Sequence, residues 1–383
     1  MTGTESTAKV RQAGQFTAVA ALAFWGLCAL QPLMVLEAEG AAPALPSLLA
    51  LPAAWLAALL GGLAAMLGLR PSGRAASMGL TVMAGLAAIG WLQLPPAQAA
   101  APAAAGFWLG ALGLGALAIL TIQRCAALEG GRFDSALAPL LFGLWVLYAW
   151  QLLTVALEVP RVLLPPPALV LEALWTHAAT LGGDFVQTVL KAVVVGWLLG
   201  SGLGFAVAVA IDRQPFLQRG LLPIASLTST VPLVGVAPIA VMWFGFDWPS
   251  KAAVVVIMTF FPMLVNTVQG LAAASHMERD LMHTYAASWW QTLVRLRLPA
   301  AWPFIFNALK INSTLALIGA IVAEFFGTPI VGMGFRISTE VGRLGLDMVW
   351  AEIAVAAITG SAFYGLLVFL ERRVTFWHPS YRK

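Results

Sequence analysis

The sequence predicts an all-α protein, a polytopic bundle of transmembrane helices, and three observations carry that prediction. Of 383 residues, 60% are hydrophobic and only 10% are charged. Apolar runs of about eighteen residues or more recur along the chain, the length a helix needs to cross the hydrocarbon core. The Lys and Arg residues collect in alternate short connections, as they do in chains threaded through a bilayer.

The first run, about Phe16 to Leu36 after Lys9 and Arg11, exceeds the apolar stretch of a signal peptide and reads as an uncleaved span. Runs rich in Ala, Leu and Gly follow at about 48–69, 76–94 and 106–123, then at 136–157, 184–211, 222–246, 252–273, 302–325 and 349–371. That makes ten expected spans. Starting inside, fifteen of the twenty-one Lys and Arg residues fall on the inner side, four outside, and Lys191 and Lys310 within spans. The bias predicts a multi-pass protein with both termini in the cytoplasm.

The net charge of +4 has no interleaved aromatics behind it, so it reads as a topology signal and excludes nucleic acid as a partner. Cys28 and Cys125 lie far apart in apolar runs and read as packing residues. The four histidines show no metal-ligand spacing, and no Gly-Lys dipeptide opens a P-loop. A nucleophile elbow is absent too. These absences predict a chain that is not an enzyme and holds no metal or cofactor of its own.

Within the spans, Gly196, Gly200 and Gly204 repeat every four residues, a pattern for close helix packing. Pro232, Gly235 and Pro238 interrupt the run that follows, which makes it either a kinked packing helix or, at Thr230-Val231-Pro232 and Val236-Ala237-Pro238, the wall of a pathway. Asn266 beside Pro262 suits an interhelical hydrogen bond or a solute contact. Setting Lys310 at zero and turning 100° per residue puts Asn307 at about +60°, Ser313 at −60°, Thr314 at +40° and Glu324 at −40°. That polar arc should face a cavity or a partner helix, because facing lipid is costly. Lys310 alternatively reaches the inner interface, and Glu324 is alternatively solvated or holds the Gly-rich turn after it.

One segment asks for a more specific account. Residues 276–299 are charged and amphipathic between two apolar runs, with Glu278, Arg279 and Asp280 early and Arg295 and Arg297 late. Read as helix, Leu281, Tyr285, Trp289 and Leu293 form one apolar stripe that wants a partner. Ala286, Ala287 and Ser288 mark a turn open to close approach, and Pro299 and Pro303 suit the start of the next helix. The segment is therefore a short helical hairpin feeding a span, so a push on one end moves the other.

This segment resembles the EAA loop of ABC-importer permeases, whose pattern is Glu-Ala-Ala, three residues, Gly, nine residues, Ile, any residue, Leu-Pro. Leu298-Pro299 match directly, Leu296 takes the Ile place, Ala286 the Gly place and Asp280-Leu281-Met282 the Glu-Ala-Ala place. Leu164-Pro165-Pro166-Pro167, Trp243-Phe244-Gly245 with Ser250-Lys251, Phe261-Pro262, and Ala323-Glu324-Phe325 with Gly332-Met333-Gly334 are similar to the nitrate, sulfonate and taurine branch of that family.

The resemblance implies a type I permease core of about six helices at 136–383, behind an extension of about four transmembrane helices at 1–135. It implies that Asp280, His283, Thr284, Tyr285, Ala286, Ala287, Ser288 and Trp289 meet an ABC ATPase, which alone binds ATP and Mg. A second copy of the permease, a periplasmic or lipid-anchored solute-binding protein and membrane lipid complete the implied partners, in a bacterial inner membrane. The cargo would be a small sulfonate, nitrate, taurine or pyrimidine-like solute. An ion-gradient-driven transporter or channel is the alternative, but it usually shows midplane ionisable residues and an inverted repeat. Only Lys310 and Glu324 are candidates for the first, and no repeat is visible.

Overall fold

The computed structural model describes residues 2–31, 52–69, 74–93, 105–128, 134–214, 216, 233–327 and 330–377. These residues are mostly helical, with no strand among them. Among the described residues seven helices are long and apolar enough to cross a membrane, and they correspond to seven of the ten expected spans. The other three are represented by shorter apolar stretches, Ala13–Cys28, Leu56–Leu69 and Gly235–Phe244. Thr230 and Pro232 lie outside the described residues.

The chain divides into two compact units, Met1–Leu169 and Val170–Lys383. The first unit contains α1 (Thr2–Leu30), α2 (Pro52–Leu69), α3 (Arg74–Leu92), α4 (Ala105–Ala126) and α5 (Asp134–Ala156). The sequence reading groups α5 with the second part of the chain; here Leu152 and Ala156 pack into the core of the first unit. That core is built on size contrast. Trp25 and Trp91 meet edge to face at 5.3 Å, and Phe107 stacks on Trp91 at 5.6 Å. Gly61 and Gly110 make the room, since a Cβ there would lie 2.5 Å from Trp25 and 2.2 Å from Trp91 respectively. Cys28 and Cys125 are buried and unpaired to each other, as packing residues are.

α6 (Pro167–Thr176) runs into the second unit, followed by α7 (Ala178–Phe185), a π-helical stretch Val186–Val193 and α8 (Val194–Arg213), which together form one continuous helix. Then come α9 (Leu233–Phe244), α10 (Trp248–Ala272), α11 (His276–Thr284), α12 (Trp289–Thr292), a π turn Leu293–Arg297, α13 (Leu298–Glu324), α14 (Met333–Gly342) and α15 (Leu346–Val374).

α10 is the centre of this unit, packed between α8 and α13. The glycine repeat of α8 explains one side. A Cβ on Gly196, Gly200 or Gly204 would come within 2.8, 2.7 and 2.5 Å of the Ala252, Val256 and Phe260 carbonyl oxygens, so only hydrogen lets the two backbones approach. A polar pin secures the other side. Asn312 of α13 is fully buried and donates to Ser201 Oγ on α8 (2.9 Å) and to the Thr259 carbonyl on α10 (2.7 Å).

Candidate functional site

The hairpin is two helical arms, each started by the same device. Ser275 caps α11: its Oγ accepts from the Glu278 N–H, and the Glu278 carboxylate accepts from the Ser275 N–H at 2.9 Å. Ser288 caps α12 in the same way with Gln291, at 2.7 Å. Ser-x-x-Glu and Ser-x-x-Gln are capping boxes, readable from sequence alone. The Ser275 backbone and then its hydroxyl hold the Glu278 carboxyl below its usual 4.5.

Between the arms the chain turns through a Schellman motif. The Ala287 N–H donates to the Met282 carbonyl (3.0 Å) and the Ala286 N–H to the His283 carbonyl (2.9 Å). The motif needs a left-handed residue between them, and Ala286 supplies it with φ +50°. Glycine does this without strain, which is the physical reason for a glycine at this place in the EAA pattern.

The turn corrects the single apolar stripe. Leu293 is 3% exposed and packs with Met263, Leu271, Ala301 and Ile305, whereas Leu281 and Tyr285 are 56% and 78% exposed. Asp280, His283, Thr284, Ala286 and Ser288 are likewise on the surface, Ala287 is half-buried, and Thr284 Oγ1 donates back to the Asp280 carbonyl. Trp289 is half-buried with the Arg213 guanidinium 5.5 Å over its ring. All eight predicted residues therefore stand on one small hairpin. Its second arm does not end at Pro299 or Pro303; the helix is continuous from Trp289 to Glu324 through the π turn.

The polar arc of α13 divides. Asn307 and Thr314 are exposed, with Ile311 and Ile318 on the same stripe. Asn307 donates to Asn266 on α10 at 3.3 Å, and Asn266 donates to the Pro262 carbonyl at 2.8 Å, so Asn266 makes the interhelical hydrogen bond. Lys310 pairs with Glu371 of α15 at 2.8 Å, and Ser313 bonds back to the Lys310 carbonyl. Glu324, 2% exposed, holds the Gly-rich turn rather than meeting solvent. Its carboxylate accepts from the Gly334 N–H (2.7 Å) and from Thr188 Oγ1 (2.8 Å).

Comparison with known proteins agrees with this geometry. Residues 200–376 match the family of binding-protein-dependent transport system inner membrane components. A probable ABC transporter permease of Haemophilus influenzae is 30% identical over 62% of this chain and 96% of its own length. The formylaminopyrimidine transport permease of Halalkalibacterium halodurans is 30% identical, over 65% and 99%. The chain belongs to the ABC-transporter permease family. The taurine transport system permease of Escherichia coli, 29% identical over 60% of this chain and 85% of its own, places it with the sulfonate and taurine branch.

In the permease, three of the motifs that carry the resemblance, Ser250-Lys251, Ala323-Glu324-Phe325 and Gly332-Met333-Gly334, meet at the end of α13 opposite the hairpin. Lys251 is buried and donates to the Phe246 carbonyl at 2.6 Å and to the Gly327 carbonyl. It is not in an outer loop, as its place in the charge pattern suggests, but in the first turn of α10. Asp184, fully buried, accepts from the Gly332 N–H (2.6 Å) and from Arg336 (2.9 Å), and Thr188 accepts from the Met333 N–H (2.8 Å). Two carboxylates and a hydroxyl thus satisfy the first N–H groups of α14, where negative charge is favoured. Sequence reasoning missed Asp184, Thr188 and Asn312, for which polar residues inside apolar runs were the available signal, and it gave Lys251 and Arg336 no partner.

Beside this cluster is a cavity of about 870 Å³ lined by Gly182, Gly183, Val186, Gln187, Lys191, Phe246, Asp247 and Val331. Lys191 donates to Gln187 at 3.1 Å and Gln187 to Asp247 at 2.7 Å. The Gln187 amide, then the Trp248 N–H, hold the Asp247 carboxyl below its ordinary value.

Proposed function

We propose that this chain is the membrane-spanning subunit of an ATP-driven importer, with the 276–299 hairpin as the place where a separate ATPase docks. One observation carries the reading. A hairpin stiffened by two capping boxes presents Met277, Leu281, Tyr285 and Trp290 to the surface, and its second arm is the base of the continuous helix Trp289–Glu324. An apolar tip on a rigid lever is what a force-delivering partner requires.

In this reading the hairpin faces the cytoplasm, two copies of the chain enclose the pathway, and ATP with Mg is bound by the ATPase. A solute-binding protein on the outer side delivers the cargo. The exposed stripe Asn307, Ile311, Thr314 and Ile318 on α13 is the candidate pathway wall, while Glu324 and Lys310 serve the frame. Relatives named for formylaminopyrimidine and taurine transport point to a small polar or anionic solute.

The test is co-purification of a P-loop ATPase from the source cells with wild type and with Ala287→Trp or Tyr285→Asp. Loss of the ATPase in the variants, with the helical spectrum unchanged, supports the reading. Uptake that continues with ATP depleted and the ion gradient intact would overturn it in favour of a gradient-driven transporter.

A further inference from the structure

The weak point of a lever built this way is its joint. Between the hairpin and α13 lies the π turn Leu293–Arg297, directly ahead of Pro299. π turns and prolines are where helices kink, because the regular hydrogen-bond ladder is interrupted. A push on the tip could bend this joint without moving the helices beyond it.

Arg297, the last residue of that turn, spans the joint. Its Nη1 and Nη2 donate to both carboxylate oxygens of Asp212, at 2.7 and 2.5 Å, and its Nε donates to the Leu271 carbonyl at 3.0 Å. Asp212 is at the end of α8, and Leu271 supplies one of the carbonyls left free at the end of α10. The first arm is tied to the same helix end, since Arg279 Nη2 donates to the Ala272 carbonyl at 2.7 Å. The Asp212 and Arg297 side chains are only 10% and 14% exposed, so the pair is little screened, and a two-pronged guanidinium contact fixes orientation as well as distance.

We propose that Asp212 and Arg297 are positioning residues, a clasp that locks the hairpin to the inner ends of α8 and α10 so that a displacement at the tip reaches three helices instead of one. The clasp rests on the reading of the hairpin as an ATPase dock. It makes α8, α10 and the base of α13 a single moving body at this end.

The experiment uses the complete transporter, with its ATPase and binding protein, in proteoliposomes. Uptake and ATP hydrolysis are measured together for wild type, Asp212→Asn, Arg297→Gln and the double variant. Each single change should leave the ATPase bound and hydrolysing while solute moved per ATP falls about tenfold, and the double variant should be no worse than either single one. Losses that multiply in the double variant, or an unchanged ratio in both single ones, would sink the clasp. Should the variants fold poorly, Asp212→Cys with Arg297→Cys, in a chain lacking Cys28 and Cys125, gives a second route. A short bis-thiol cross-linker across the pair should restore the ratio that the uncross-linked form has lost, and failure to restore it overturns the proposal. If the wild-type transporter binds no ATPase, the docking reading itself is wrong; bound ATPase with undisturbed coupling in the variants removes only the clasp.

Discussion

The two ends of the second unit solve opposite problems with similar residues. At the Glu324 end, acidic side chains turn inward: Asp184 and Glu324 are spent on the N–H groups of α14, Thr188 and Arg336. At the hairpin end, basic side chains turn inward, on carbonyls and on Asp212, and leave an apolar tip in the open. The first arrangement closes a loop onto the frame. The second holds a handle out from it. The contrast teaches that polar residues in a membrane permease are used for joints as readily as for cargo.

The comparison breaks most easily at the closed end. Gly334→Ala would put a Cβ 2.1 Å from the Ile321 carbonyl, so the backbone must shift; we expect a loss of about 3 kcal/mol in the stability of the detergent-solubilised protein, seen as a lowered Tm. Glu324→Ala leaves the Gly334 N–H and the Thr188 hydroxyl unpaired in a buried site and should destabilise by about 2–3 kcal/mol. Glu324→Gln, which keeps an acceptor, should lose clearly less in the same melt.

Changes at the handle should be smaller and local. Ala286→Gly removes the strain of φ +50° at the Schellman position and should stabilise the hairpin by up to about 1 kcal/mol, read as slower amide exchange in α11. Acid gives the smallest effect. The Glu278 carboxyl titrates below its usual 4.5 when folded, so its capping bonds are fully present above 4.5 and are lost as pH falls through the lower folded value. The protection factors of the α11 amides, exchange rates taken relative to the intrinsic rate at each pH, should therefore fall on acidification in wild type and stay flat in Glu278→Gln. Equal acid sensitivity in the two proteins would show that the cap does not depend on this charge.

Much of the handle was legible in the sequence because its determinants are close together in the chain. The three small residues at the turn and the Leu-Pro entry act over a few residues each, and so do the two Ser-x-x-Glu/Gln boxes, a local signal the sequence reading passed over. The one error there, a continuous stripe from Leu281 to Leu293, came from reading helix through a left-handed turn that Ala286 rarely adopts and so did not announce. The closed end was barely legible. Glu324 could be placed on an arc, yet whether that arc faced a pathway or a partner depended on Thr188 and Gly334, one of them 136 residues away.

The sequence by itself determined the class of the molecule, the places of its apolar helices and the hairpin, because hydropathy and helical period are properties of neighbouring residues. The tertiary structure alone decided which charges meet. Arg297 finds Asp212 across 85 residues and Gly332 finds Asp184 across 148, and no local pattern encodes either pairing. Such pairs are selected by the packing of α8 and α13 around α10, which brings the ends of distant helices within hydrogen-bond reach and penalises any buried polar group left without a partner.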